Sequence, residues 1–329
     1  MTSLKVTNGN GIEVETGDSS YLLDPKKTVD GIVNVISHAH SDHLPRGGSG
    51  RKVISTSETI ELAYHRTGKR YYPAEDDTVE LVEAGHIPGS VMTLIRGDSS
   101  FLYTADFCTR QKVYLKPAEP RKTDCLVIET TYGRPDYVFP DPVELSGVIR
   151  DWVSDSISHS IPVFFSLYPL GKAQEIEVIL KGLPLYADET VRSHNSIIFG
   201  DTPWIGSMEE AHSAESVFIC SSRKSLSAVR PSVRRKLLTA TVSGWALGNG
   251  FRHGGGYDEA FPLSDHCDYN DLMNFVEKCG PEIVYTVHGF TDDFAASVKS
   301  ELGIEAMPLK SARVARRRMQ SRIDSFRPR

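Results

Sequence analysis

Over the first 130 residues the apolar positions come in short runs, at 12–14, 21–23, 32–36, 79–82, 91–95, 101–104 and 125–128. Each run is rich in Val, Ile, Leu or aromatic residues and is set off by Gly, Asp and Ser, which is strand-and-turn patterning. One helical window, 57–65, interrupts them. Beyond residue 140 the grammar changes. Apolar residues at 143–157 recur near helical spacing, 163–167 is a buried-type strand, and Gly171 opens a helix over 171–181. Further strands are predicted at 197–199, 217–220 and 237–242, then helix 270–278, strand 283–287 and helix 294–302. Alternation of this kind predicts two α/β units, and periodicity leaves open whether one follows the other or is inserted into it.

Composition narrows the class. The 329 residues are 40% hydrophobic and 24% charged, ordinary globular values that argue against disorder, coiled coil or collagen. No apolar stretch approaches the roughly 20 residues of a membrane span, and the N-terminus lacks a basic-then-apolar leader, so a soluble, cytoplasmic protein is expected. Five cysteines (Cys108, Cys125, Cys220, Cys267, Cys279) without a CxxC pair predict reduced, buried thiols. Net charge is −6, but residues 310–329 carry eight Lys/Arg against the single Asp324. A second run, Arg223, Lys224, Arg230, Arg234, Arg235 and Lys236, contains no acid. Each run reads equally well as a local anion track or as a solvated face.

The densest chemistry is SHAHSDH, residues 37–43, directly after the strand GIVNVI. It gathers His38, His40, Asp42 and His43 in one turn, where unshielded imidazoles and a carboxylate would desolvate one another unless a cation lay between them. His86 in AGHIPGS, Asp106 in YTADF and His288 in YTVHG each stand at or near a predicted strand end, where loops of a layered α/β fold converge.

This set resembles the metallo-β-lactamase superfamily, whose signature is His-x-His-x-Asp-His followed by isolated His, Asp and His ligands. Glu129 in VIETTYG, His266 in PLSDHCDY and His288 in TVHG resemble motifs A, B and C of its β-CASP nuclease branch, which includes ribonuclease J, Artemis, the polyadenylation-factor endonuclease subunit and the ligase-associated DNA exonucleases. SLYPLGKAQEI, residues 166–176, is similar to the GRAQE string that begins the β-CASP insert, with Lys172 in place of Arg. The likeness runs from Tyr21 to about Leu302. It implies an α/β protein: a metallo-β-lactamase αββα sandwich from residues 1–133 and 259–329, with an inserted α/β β-CASP domain at 134–258 and the active site in the cleft between them.

The resemblance further implies two divalent metal ions, Zn²⁺ or Mn²⁺. One would take His38, His40 and His86, the other Asp42, His43 and His288, with Asp106 bridging and Asp24 in YLLDP supporting from behind. The implied reaction is hydrolysis of phosphodiester bonds in single-stranded RNA or DNA by a two-metal-activated hydroxide, with His266 as general acid oriented by Glu129. Lys172 and the 223–236 bases are expected on phosphates. Trp245 in VSGW reads first as a core residue and second as a base-stacking one. His288 leans towards RNA, while the strings PLSDHCDY and HGF look at least as much like the ligase-associated DNA exonucleases. Two other classes stay open: a small-molecule hydrolase of the same fold (thioesterase, glyoxalase II or lactamase type), and an inactive nucleic-acid-binding scaffold.

Overall fold

The computed structural model describes residues 4–310 except 18, 212, 235 and 248–254. Arg235 and the basic tail beyond Lys310 therefore lie outside the described residues. The chain opens with a meander, β1 (Lys5–Gly9), β2 (Gly11–Thr16) and β3 (Ser19–Leu23), to which β4 (Val33–Val35) is added parallel to β3. A parallel pair, β5 (Arg51–Val53) and β6 (Tyr71–Pro73), brackets helix α1 (Ser57–Thr67). Thr56 caps α1 by accepting from the Thr59 N–H, and left-handed Gly68 ends it. Strands β7 (Val79–Glu83), β8 (Val91–Ile95), β9 (Phe101–Tyr103) and β10 (Cys125–Glu129) begin a second sheet.

A third sheet follows. Helix α2 (Pro142–Ser158), β11 (Val163–Ser166), α3 (Lys172–Ile179), β12 (Leu185–Ala187), α4 (Glu189–Ile198), β13 (Ile205–Ser207), β14 (Val217–Cys220), the short α5 (Pro231–Arg234), β15 (Leu238–Val242) and β16 (Glu259–Phe261) build it, all parallel, in the order β13-β12-β14-β11-β15-β16. The chain then returns. Helix α6 (Tyr269–Cys279), β17 (Ile283–Val287), α7 (Thr291–Ser297) and β18 (Glu305–Pro308) complete the second sheet, with β17 parallel to β10, in the order β18-β17-β10-β9-β8-β7. Residue 259, expected as the first of the returning segment, begins a strand paired to β15 of the third sheet.

Strand alternation explains the layers. In β10, Cys125 and Val127 face the core shared with the first sheet (Val14, Tyr21, Leu23, Val35), while Leu126 and Ile128 face α6 and α7 (Leu272, Phe275, Val276, Phe294). The third sheet is likewise covered on both faces: Val163 and Phe165 pack towards Ile149, Val153 and Ile176, and Phe164 packs towards Val229 and Val233. The five cysteines are free and buried. The strand expected at 197–199 is instead the end of α4, whose Asp188 cap accepts from Val191 N and whose residues Val191, His194 and Asn195 are buried together. Its last turn places Ile197 and Ile198 against Ala39, Leu62, Ile87 and Leu170, a small apolar cluster at the seam between the third sheet and the rest. No helix among the described residues is long and apolar enough to cross a membrane.

Candidate metal centre

The candidate residues sit past the carboxyl ends of neighbouring strands. His38, His40, Asp42 and His43 follow β4; Asp106 follows β9; Glu129 ends β10; His288 follows β17. Because β9, β10 and β17 run parallel, their ends point the same way. Three of the four described non-glycine residues with positive φ lie here, Asp24 (47°), Ala105 (49°) and His288 (56°), so backbone strain is concentrated at the site. At Gly289, φ is +61° and a Cβ would come within 2.2 Å of the Thr130 carbonyl oxygen, so only glycine lets His288 close on the end of β10.

Hydrogen bonds fix which ring nitrogens carry protons. His40 Nε2–H donates to the Leu170 carbonyl (3.1 Å) and His86 Nδ1–H to the Asp265 carbonyl (3.1 Å). His38 Nδ1–H donates to Ser37 Oγ (2.9 Å), whose own proton goes to Asp24 Oδ2 (2.7 Å). Each ring is thus left with a bare nitrogen on the inner side. His40 Nδ1 and His86 Nε2 face each other at 3.1 Å, and His38 Nε2 is buried without a hydrogen-bond partner. Burial holds all three rings neutral: it pushes His40 down to about 4, and His38 and His86, with neighbouring rings adding to the effect, well below the ordinary value. Asp106 Oδ2 lies 3.6 Å from His38 Nε2 and 3.7 Å from His86 Nε2. Against its burial, His43 keeps Asp106 ionised, well below the usual carboxylate range.

Three bare imidazole nitrogens and one carboxylate oxygen, all within 4.8 Å of one another, repel in the absence of positive charge, and the donor set suits a borderline cation such as zinc. The residues present therefore fit the metal. His43 extends the group. Its Nδ1–H donates to Asp24 Oδ2 (2.7 Å), turning Nε2 towards Asp106 (3.5 Å) and Asp42 (3.9 Å), and its ring centre is 5.7 Å from that of His288. Asp42 is largely exposed, so this second group is more open than the first.

His266 stands beside the cluster, its ring 4.6 Å from His86. Nδ1–H donates to Glu129 Oε1 (2.8 Å), while Glu129 Oε2 accepts from Thr131 N (3.0 Å). Burial works against charge on His266, but the Glu129 carboxylate, backed by Asp106 and Asp265, lifts it to about 9. His40, Asp42, His43, His86, Asp106, His266 and His288 line a cavity of about 410 Å³, together with Tyr132, Tyr168, Ser243 and Trp245 from neighbouring loops.

Residues 259–308 match the family described as "RMMBL: Zn-dependent metallo-hydrolase RNA specificity domain". A "Probable DNA ligase" of Opitutus terrae is 34% identical over 292 residues, 82% of this chain and 28% of that protein. An "RNase J-like protein" of Methanocaldococcus jannaschii is 24% identical over 376 residues, 84% of this chain and 89% of that protein. The chain belongs to the β-CASP branch of the metallo-β-lactamase fold. A crystal structure of a protein of unknown function from Enterococcus faecalis shares the fold, with a TM-score of 0.63 at 13% identity, covering 94% of this chain and 97% of that one. Of the Opitutus relative, the chain spans little more than a quarter.

Within this β-CASP chain, two residues join the site without having been singled out in the sequence. Asp265, next to His266, accepts from Lys112 Nζ (2.9 Å) and faces Lys172 Nζ (2.9 Å); Lys112 also donates to the His86 carbonyl (2.7 Å). Lys112 comes from the loop after β9 and Lys172 from the first turn of α3, so Asp265 ties helix α3 of the insert to the loop that bears His86. Lys172, expected on a phosphate, lines the cavity with its ammonium buried between Asp265 and Glu175. The remaining described bases do not reach the cavity. Arg223 donates to the Gly255 carbonyl (2.7 Å) and lies over the Tyr257 ring, and Lys224, Arg230, Arg234 and Lys236 are exposed away from the cavity lining. The described bases of the run therefore lie on an exposed face outside this cavity, and periodicity alone could not aim them.

Proposed function

We propose that the protein is a metal-dependent nuclease that hydrolyses phosphodiester bonds of single-stranded nucleic acid, with DNA as its substrate. The observation that carries the reading is the convergence of bare His38, His40 and His86 nitrogens and ionised Asp106 beside a protonated His266. On this reading His38, His40, His86 and Asp106 would hold one divalent cation and Asp42, His43 and His288, with Asp106, would hold a second, zinc or manganese in each case. Such cations supply Lewis acidity, making water a nucleophile near pH 7 and offsetting charge on the phosphoryl oxygens. Asp24 keeps His43 and, through Ser37, His38 aimed inward. His266, with Nδ1–H committed to Glu129, keeps a proton on Nε2 for the leaving oxygen. The cleft would lie between a unit made of residues 1–133 and 259–329 and an insert of 134–258, with the strand Glu259–Phe261 pairing on the insert's side of that boundary.

The preference for DNA rests on the likeness, along 82% of the chain, to part of a protein named as a DNA ligase. RNA is the second reading, favoured by the RNA-specificity description of the matched family and by the RNase J-like relative. One gel tests both: 5′-labelled and 3′-labelled single-stranded DNA and RNA, with zinc or manganese, with chelator, and with His266→Ala. Metal-dependent cutting of DNA and a loss of about 10²- to 10⁴-fold in kcat for His266→Ala are expected. Cutting of RNA alone would replace the DNA reading, and a loss below tenfold would remove the acid role from His266.

A further inference from the structure

We propose that Tyr168 and Trp245 are two base-stacking platforms that hold the nucleotides on either side of the bond to be cut, with Trp245 on the leaving-group side; this rests on the nuclease reading above. Strands β11 and β15 are parallel neighbours in the insert's sheet, and the loops after their carboxyl ends carry Tyr168 and Trp245 respectively. Both rings line the cleft cavity, and both are 44% exposed. The core role first expected of Trp245 is thereby overturned. Tyr168 stands edge-on to His40, with ring centres 4.8 Å apart. Trp245 is 4.8 Å from Tyr132, which is 6.0 Å from His266. One exposed ring is therefore beside a candidate metal ligand and the other on the side of the proton donor, so a strand passing the site meets them in that order.

Apart from the proposed cations and His266, charge on the walls leaves little else to grip a strand. Among the described residues lining the cavity, Lys172 is the only Lys or Arg, and its ammonium is already enclosed. What the walls offer is ring surface, and every base has a face that stacks on an aromatic ring whatever its sequence. Both rings are also held in place before any ligand arrives, which lowers the entropy lost on binding. Arg66 donates to the Tyr168 hydroxyl (3.1 Å), and Trp245 is braced by Tyr132, Tyr137 (5.3 Å) and Phe290 (6.3 Å). Gly244 makes the Trp245 position possible, since a Cβ there would fall 2.5 Å from the Tyr132 ring. Stacking requires unpaired bases, so the platforms select single strands over duplex.

The test is fluorescence anisotropy with the full-length, metal-loaded protein and a fluorescein-labelled phosphorothioate oligothymidylate, single-stranded or annealed to its complement. Trp245→Ala and Tyr168→Ala should each weaken single-strand binding by about 5- to 100-fold and leave duplex binding unchanged, while Trp245→Phe and Tyr168→Phe, which keep a ring, retain most of the affinity. On ordinary DNA, an abasic nucleotide on the leaving side of the cut should reproduce the loss of Trp245→Ala without adding to it, and one on the other side should do the same for Tyr168→Ala. Alanine variants that melt normally and bind like the parent would overturn the proposal, as would an equal loss for alanine and phenylalanine. If the stacking pattern holds but no strand is cut with any metal, the nuclease reading fails and the platforms stand as a binding site; if cutting holds and the alanine variants bind normally, only the platforms fail.

Discussion

Glu129→Gln should move the alkaline limb of the pH–rate profile while barely changing the rate in mild acid. Glu129 is 1% exposed and holds His266 Nδ1–H at 2.8 Å, and its charge is the main influence raising His266 to about 9. Glutamine has nearly the same volume, but its amide carries a proton towards one of the two donors that Glu129 accepts from. The arrangement that satisfies both places its carbonyl on Thr131 N–H and its NH₂ on His266 Nδ1, which favours the neutral imidazole. Without the carboxylate the ring returns to about 6.5, a difference of about 2.5 units or roughly 3 kcal/mol. The charged form is the one lost as pH rises, so the protonated fraction at pH 8 falls from about 90% to about 3%, and at pH 6 it stays above roughly 70%. The variant's alkaline limb should therefore lie about 2.5 pH units lower, so that kcat falls far more at alkaline pH than in mild acid. Bound cations lower the His266 value in both proteins alike, so the displacement between the two profiles is the quantity to read. A loss equal at every pH, or an alkaline limb that does not move, would refute the pairing of Glu129 with a titrating acid.

Asp265→Asn leaves two buried ammonium groups, Lys112 and Lys172, without their shared carboxylate, and urea denaturation should show a destabilisation of about 3–5 kcal/mol; a change below about 1 kcal/mol would show that the network does not secure the insert. Glu177 is buried against Asn195 (2.7 Å), and burial raises it to about 8. The folded chain thus binds a proton there that the unfolded chain has released, so stability should fall as pH rises from the ordinary carboxylate value to about 8, and Glu177→Gln should flatten that part of the curve. Equal slopes for the two proteins between pH 5 and 8 would contradict the assignment.

The parts of the site most legible in the sequence are those in which chemistry is crowded into a few adjacent positions. SHAHSDH sits on one turn after one strand, so His38, His40, Asp42 and His43 had to be neighbours, and a turn can collect them. His86, Asp106, Glu129 and His288 were legible because parallel strands end on one side, so residues at their carboxyl ends meet whatever their separation in sequence. What could not be read depends on partners far along the chain. Lys172 looks like a phosphate contact until Asp265, 93 positions on, encloses its ammonium. The Ile197–Ile198–Phe199 triplet has strand composition, yet the Asp188 cap and the seam beneath it make it the end of a helix. Asp265 itself carried one signal, its place beside His266, but nothing local says that it draws a lysine from each side of the cleft. Trp245 looked like core material because tryptophan usually is; its exposure follows from Gly244 and the rings that prop it at the mouth.

The metal centre is tested most directly by adding zinc to chelator-treated protein and following its thermal unfolding together with the bound metal per chain. Zinc at about a hundredfold excess over its Kd should stabilise the parent by about 2.7 kcal/mol, and both the stabilisation and the stoichiometry should drop in His86→Ala and Asp106→Asn. Unfolding that ignores zinc, or variants that bind as much of it as the parent, would mean that the three bare imidazole nitrogens face one another for some reason other than a cation.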